Sequence, residues 1–422
     1  MDSHSANMNQ IPAAAPAHPA EDLTFRPSAG TSLGVELELQ ILDRESGDLA
    51  PGAVRLLQAC REEGIANASA ELLQSMIEVK TGICQNVQEV QESLLPALRR
   101  VRNLAASLGY DLAMGGTHPF NRTSSSTVFP AERYQRVQDR MAWLAYQIVV
   151  FGLHVHVGMA DGDLAIGTIN LLVQYLPHLL ALSANSPFWQ GVDTGLASTR
   201  SALFRLTPHA ALPHYFPGWK EFRTYVDVMR ACEAIQNTKD IYWDIRPRPQ
   251  TGTIEFRICD MPASLAHVLG LAALIRCLVI ASQRLLQEKP RLRRGDLRRY
   301  WIAVENKWLA SRYGLQAQCI RSPGGKRQPL ARDLEELFER LLPIARETGD
   351  APFLAALQPL DRFESGADRQ RRLYRDSGKW KDVLDDMRSR LAQELDGAST
   401  LSHAPAGARP EDAAAGNRQA KE

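Results

Sequence analysis

The chain predicts an α+β fold in which one antiparallel sheet is backed by helices. Two observations predict it. Residues 34–41, 152–158 and 253–259 alternate apolar and polar side chains with a period of two, the pattern of strands that bury one face. Longer segments place apolar residues at helical spacing, as in 87–108 with Val87, Val90, Leu94, Leu98, Val101, Leu104 and Leu108. A third observation concerns chemistry: the polar faces of the three strands hold carboxylates, imidazoles and a guanidinium.

The chain has 422 residues, enough for a large core, and its 45% hydrophobic and 23% charged content is ordinary for a globular protein. Lys and Arg number 49 against 48 Asp and Glu, a net charge of +1. That balance gives no electrostatic case for nucleic acid or an anionic membrane as partner. The six cysteines are scattered, without a Cys-x-x-Cys pair, which argues against a zinc finger or disulfide scaffold and suits a reducing cytosol. No uncharged apolar run is expected to reach the roughly 18 residues of a membrane span. The N-terminus lacks the basic start and apolar core of a signal peptide. A cytoplasmic protein with no membrane partner is the expectation. Residues 1–27 and 396–422 read as disordered tails, which leaves a single domain over 28–395.

The elements follow in order. In 34–41, Val35, Leu37, Leu39 and Ile41 share one face, and Glu36, Glu38 and Gln40 the other. Residues 43–51 form a turn, and 54–63 a helix stopped by Gly64. Residues 71–81 end in an alternating stretch that carries Glu78. In 115–120, a strand end runs into a loop with His118, either a structural histidine or a ligand. Residues 132–149 read as one helix beginning with Arg133 and Tyr134. The next strand sets His154 and His156 opposite Leu153, Val155 and Val157, either a satisfied polar pair or a metal and phosphate constellation.

Asp163 is placed to cap an apolar helix reaching Ala184. The loop 185–200 is rich in Gly, Pro, Asp and Ser, and a loop of this length is usually functional or mobile. Arg200 at its end suits carboxylate or phosphate recognition, with a surface ion pair as the alternative. After a helix over 219–235, residues 241–246 and 253–259 form a hairpin. Glu255 and Arg257 share its polar face, either paired to each other or holding a metal and a phosphate. The remainder reads as helical: 265–287, 297–313 ending at Gly314, 331–346 and 380–395. The basic stretch 366–371 reads first as a solvated helix start and second as a nucleotide-facing arginine pair. The Gly324-Gly325-Lys326 turn lacks P-loop spacing.

In one sheet, these faces would gather Glu36, Glu38, Glu78, His154, His156, Glu255 and Arg257. Carboxylates with imidazole suit hard divalent cations, Mg²⁺ or Mn²⁺. Arginine among them makes sense if a polyphosphate bridges the two, because the cation and the guanidinium both neutralise phosphate charge.

The ordered motifs Gly34-Val35-Glu36-Leu37-Glu38, Met76-Ile77-Glu78, Gly116-Thr117-His118-Pro119, the 152–158 strand, the 185–200 loop, Thr253-Ile254-Glu255-Phe256-Arg257 and Glu305-Asn306-Lys307-Trp308 resemble the YbdK-like second family of glutamate–cysteine ligases, the carboxylate–amine ligases. The likeness spans residues 32–391. It implies a glutamine-synthetase-like catalytic fold, a curved antiparallel sheet forming a funnel with helices on its outer face. It implies ATP and a divalent metal as cofactors, with glutamate and an amine such as cysteine as substrates. The carboxylate would attack the γ-phosphate to give an acyl phosphate, and the amine would then displace phosphate.

On this resemblance Glu36, Glu38, Glu78, His154 and Glu255 are metal ligands or lie beside the metal. Arg257 and Glu255 are catalytic, with Arg257 facing the transferring phosphoryl group. Arg200 holds an anionic substrate group, and His156 and Glu71 stand behind the ligands, with His156 close to ATP. The apolar helices could pack internally or between two copies, and the expectation leans to a homodimer. Two other classes stay open: a metal-dependent hydrolase using the His and Glu cluster, and a non-catalytic binder of nucleotide or amino acid.

Overall fold

The structure is a computed structural model that describes residues 22–123, 126–294 and 296–401. At its centre is a seven-stranded antiparallel sheet. Its strands are β1 (Leu33–Asp43), β2 (Ala68–Ala70), β3 (Met76–Lys80), β4 (Tyr110–Ala113), β5 (Gly152–Gly158), β6 (Ile245–Arg248) and β7 (Thr253–Asp260). They lie in the order β6-β7-β5-β1-β3-β2, with β4 pairing the C-terminal end of β1. The expected sheet is therefore present, and all three strands with a chemical face are adjacent in it.

The alternation produces two faces. Val35, Leu37, Leu39, Ile77, Val79, Leu153, Val155, Val157, Ile254 and Phe256 are sealed in the core. Helices α1 (Ala53–Glu62) and α2 (Val87–Ser107) cover one end of that core. Asn86 starts α2 by accepting a hydrogen bond from the Glu89 amide. The chain then forms α3 (Glu132–Met141) and α4 (Trp143–Gln147). The single helix expected over 132–149 breaks at Ala142, whose φ of 49° leaves the helical region.

Helices α5 (Gly162–Leu172), α6 (Leu176–Ser183) and α9 (Leu265–Glu288) pack behind β5, β6 and β7. Between them in sequence lie α7 (Thr199–Phe204) and α8 (Trp219–Ala231). The cap of α5 is Asp161, which accepts from Leu164 N, and not Asp163. Asp163 instead accepts from Trp219 N at the start of α8. Helices α10 (Leu297–Tyr313) and α11 (Leu330–Glu347) follow, and the last helix is Trp380–Leu401.

Two expectations need correction. Gly162–Ser183 and Leu265–Glu288 are long and apolar enough to cross a membrane by length and composition, although no such run was expected. Both windows are 78% buried inside the protein, so their apolarity is accounted for by the core. The N-terminal boundary also moves. Leu23 packs with Ile166, Phe222 and Trp243, and Phe25 stands edge-on to Trp219. Arg26 N donates to Pro249 O. Its carbonyl passes so close to Gly252 that a Cβ there would sit 1.8 Å from the oxygen. Residues 22–27 thus belong to the body, and the last helix runs past residue 395. The remaining tail residues, 1–21 and 402–422, lie outside the described residues.

His118 takes its structural role. Nε2 bonds Gly47 O at 3.0 Å, and Nδ1 accepts from Asn121 N at 3.0 Å. Burial pushes its pKa down to about 4, partly offset by the Gly47 carbonyl. The folded value lies below the unfolded one of 6.5. The resulting stability is intact above pH about 6.5 and falls by about 3 kcal/mol as the pH drops toward 4. His118→Gln keeps one donor and one acceptor, so its urea midpoint is expected to depend less on pH over this window than that of the wild type. Equal slopes for the two proteins would refute this account.

Candidate active site

Strand register brings the polar groups together. Glu36 lies opposite His154, Glu38 opposite Glu78, Glu255 opposite His156 and Arg246 opposite Glu255. Cross-strand partners project from the same face. One cavity of about 280 Å³ therefore collects Glu36, Glu38, Glu71, Glu78, His154, His156, Arg200, Glu255 and Arg257. Every residue named for the site from sequence lines it.

The cavity has an acidic half on β1, β3 and β5. The Glu36 carboxylate lies between two imidazoles, 3.3 Å from His154 Nδ1 and 3.4 Å from His156 Nε2. Burial raises its pKa, but the two imidazoles beside it, His154 and His156, outweigh that and hold it far below the usual range. Glu38 accepts from the Gly152 amide and lies 3.5 Å from His154 Nε2. Glu78 accepts from Ser69 Oγ at 2.6 Å and from Lys80 Nζ at 3.2 Å. Glu71 sits beside them with its pKa raised well above 4.5, first by burial and then by the charges of Glu78 and Glu38.

These groups fit a divalent cation. Donor atoms of Glu36, Glu78 and His154 lie within 4.8 Å of one another, as do those of Glu36, His156 and Glu255. Nε2 of His154 and of His156 is buried without a hydrogen bond, although each has a carboxylate oxygen 3.4–3.5 Å away. Unpartnered imidazole nitrogens among carboxylates are what a hard cation would complete. His156 is oriented by Thr253 Oγ1, 3.0 Å from Nδ1.

The other half is cationic and lies on β6 and β7. Arg246 grips Glu255 with two bonds, Nε to Oε2 at 2.8 Å and Nη2 to Oε1 at 3.1 Å. Arg257 Nη1 donates to Oε1 at 2.6 Å, and Arg248 Nε lies 3.5 Å from Oε2. Burial would raise the Glu255 pKa, but Arg246, Arg257, His156 and Arg248 together hold it well below 4.5. Glu255 is thus first the anchor of an arginine cluster. Both of its oxygens are already engaged, unlike those of an open metal ligand.

Sequence reasoning put Arg246 in the hairpin but assigned it no role, and it did not single out Arg248. The signal was the hairpin itself, which sets Arg246 across from Glu255. Arg133 and Tyr134 on α3 form a further wall, with Tyr134 Oη donating to Ala70 O at 2.8 Å.

Arg200 lines the cavity, and its guanidinium is also bound to backbone. The pairing of β7 with β5 shifts register between Phe256 and Cys259. Arg200 caps the carbonyls freed at this bulge, with Nη2 to Arg257 O at 3.0 Å and Nη1 to Ile258 O at 3.3 Å. Its guanidinium presses against Gly152, where a Cβ would come within 2.2 Å of Nη2. The 185–200 loop is pinned. Buried Asp260 accepts from Asn185 N, Ser186 Oγ and Ser198 Oγ at 2.6–2.9 Å. The basic stretch 366–371 faces elsewhere: Arg369 pairs with Asp386, and Arg371 with Asp193.

A helix-backed antiparallel sheet with an acidic and a cationic half in one cavity is the glutamine-synthetase-like catalytic fold of ATP-dependent ligases. Two solved structures share the fold. A glutamate–cysteine ligase from Francisella tularensis, solved in complex with AMP, superposes with a TM-score of 0.65 at 12% identity, covering 90% of this chain and 92% of that one. A bifunctional glutathione synthetase from Pasteurella multocida gives 0.59 at 15% identity, covering 87% of this chain and 52% of that one.

Sequence carries the assignment further. The family model described as glutamate–cysteine ligase family 2 matches residues 32–390. A Thermobifida fusca protein provisionally named glutamate–cysteine ligase 2 is 41% identical over 367 residues, 86% of this chain and 91% of the relative. A Gloeobacter violaceus protein with the same provisional name is 39% identical over 373 residues, 88% of this chain and 99% of its own. The chain belongs to glutamate–cysteine ligase family 2 and is an ATP-dependent carboxylate–amine ligase of that kind.

Proposed function

We propose that the protein joins the γ-carboxylate of glutamate to an amino-acid amine, cysteine in the first instance, with ATP and Mg²⁺ or Mn²⁺. One observation carries this reading: strand register sets a carboxylate–imidazole cluster directly beside an arginine cluster in a single cavity. Glu36, Glu38, Glu78 and His154 would hold the cation, with Glu255 and His156 bordering it. When bound, the cation would neutralise phosphate oxygens and orient the polyphosphate.

The protein groups do the rest. Arg257, steadied by Glu255, would meet the negative charge that develops on the transferring γ-phosphoryl group. The substrate carboxylate oxygen forms the bond to phosphorus as the bond to ADP breaks. The amine nitrogen then bonds the acyl carbon, phosphate leaves, and the amine gives up a proton. The protein needs no covalent nucleophile, because the substrate supplies its own carboxylate. Arg200 would act through the β7 bulge by fixing where Arg257 stands. All six cysteines are free thiols, and five are buried, which supports a cytoplasmic setting.

The test is ADP release with ATP, Mg²⁺ and glutamate, with and without each of a panel of amines. Release that requires both glutamate and an amine, and that stops on chelation, is the expected result. No amine-dependent ADP across the panel would sink the reading.

A further inference from the structure

We propose that Asp260 is a positioning residue for Arg257: through Ser186, Ser198 and Arg200 it closes a ring of hydrogen bonds around the β7 bulge on which Arg257 stands. The proposal rests on the reading that Arg257 meets the transferring phosphoryl group. A bulge interrupts the ladder and lets its strand bend, so a side chain carried there needs outside support to hold one position. Phe256 pairs with Val155 and Cys259 with Leu153, which leaves Arg257 and Ile258 between two registers. The Arg257 N–H donates to Asp244 O, just before β6, at 2.8 Å. Its carbonyl is held by the Arg200 guanidinium, as is that of Ile258. Where Arg257 stands therefore depends on where Arg200 stands.

Arg200 is the second residue of α7, and Asp260 fixes the start of that helix. Ser186 Oγ donates to Asp260 Oδ2 at 2.6 Å and accepts from Arg200 N at 3.0 Å. Ser198 Oγ donates to Asp260 Oδ1 at 2.7 Å and, as the cap of α7, accepts from Ser201 N at 3.2 Å. Asp260 follows Arg257 on the same strand, so the circuit returns to its origin. It runs from the Asp260 carboxylate to Ser186, to the Arg200 backbone, to the Arg200 guanidinium and back to Arg257. Arg200, Ser186, Ser198 and Asp260 are all buried. Burial pushes the Asp260 pKa up, and the Arg200 charge is the largest effect opposing it. A buried cation and a buried anion on one ring thus offset each other.

Holding the 185–200 loop to the body does not by itself require this carboxylate. Asn185 at the start of the loop already donates from Nδ2 to Met261 O at 2.9 Å and accepts at Oδ1 from Gln370 Nε2 at 2.7 Å. What Asp260 adds is the link from both serine hydroxyls to the helix that carries Arg200. The backbone makes room for it at Gly116, where a Cβ would lie 2.8 Å from Asp260 Oδ2.

The experiment combines steady-state kinetics with crystal structures of the wild type and two variants. Asp260→Asn puts an amide nitrogen where one carboxylate oxygen stood, so at least one serine hydroxyl loses its acceptor. Ser186→Ala keeps the charge and removes only the hydroxyl between Asp260 and Arg200 N, which covers the case in which Asp260→Asn does not fold. In each variant Arg257 is expected to leave its 2.6 Å contact with Glu255 Oε1. The kcat of Asp260→Asn should fall at least about tenfold while KM for ATP stays close to wild type, because the lost contact belongs to the transition state. In an Arg257→Lys background, Asp260→Asn should lower kcat little further. Arg257 unmoved in both variants would overturn the proposal. So would a full further loss of kcat in the Arg257→Lys background, since Asp260 would then act by another route. If Arg257 moves and kcat does not, Asp260 still positions it, and the phosphoryl role of Arg257 is what fails.

Discussion

Glu255→Gln is expected to lose about 3–5 kcal/mol of stability and most of its turnover together. Glutamine keeps the size of the side chain and removes its charge. The wild-type carboxylate binds Arg246 in a two-bond grip and Arg257 at 2.6 Å; Glu255 and Arg246 are buried and Arg257 is partly so. Without that charge, the buried Arg246 and the partly buried Arg257 repel each other in a poorly solvated pocket. Taking away one partner of a buried ion cluster costs far more than the cluster contributes relative to an apolar replacement. Arg257 would then reorient, and the proposed phosphoryl contact would be lost with it. Chemical unfolding and ADP release, measured on the same sample, check the result. A variant as stable as the wild type would show that the arginines do not depend on Glu255.

Glu38→Gln is expected to behave differently: turnover falls about 10²–10³-fold while stability stays close to wild type. The amide oxygen can still accept the Gly152 N–H, so the β1–β5 contact is kept. What disappears is the negative charge facing His154 Nε2 and Glu78. If that charge serves a cation, the Mg²⁺ concentration giving half-maximal activity should rise in parallel. An unchanged rate at low Mg²⁺ would return Glu38 to a structural part of β1. The two substitutions thus separate the two halves of the cavity, one holding its own cations together and the other suited to an external one.

The sheet and much of the site were legible because a period of two is a local property. Each of β1, β5 and β7 declares its buried face without reference to its neighbours. What was not legible depends on partners distant in sequence. The bonds between Arg246 and Glu255 require the hairpin register. The role of Arg200 requires a bulge in another strand. The break at Ala142 requires a positive φ that alanine does not announce. Asp163 reads as the cap of α5, but it is drawn to Trp219 N from a distant helix and Asp161 caps α5 instead. The docking of Leu23 and Phe25 was hidden by the Ala- and Pro-rich sequence before them.

β1 is bonded on both edges, by β5 and then β4 on one side and by β3 on the other. Its amides between Val35 and Ile41 should therefore be among the slowest in the molecule to exchange with deuterium, since exposing them requires parting the middle of the sheet. The acidic groups on that strand have no low-cost way to come apart. A chelator or competing ion would have to act on the intact fold, and the geometry of the floor would last as long as the fold does. Any breathing needed to admit and release substrates would then fall to the α3–α4 side of the cavity, where the helix breaks at Ala142.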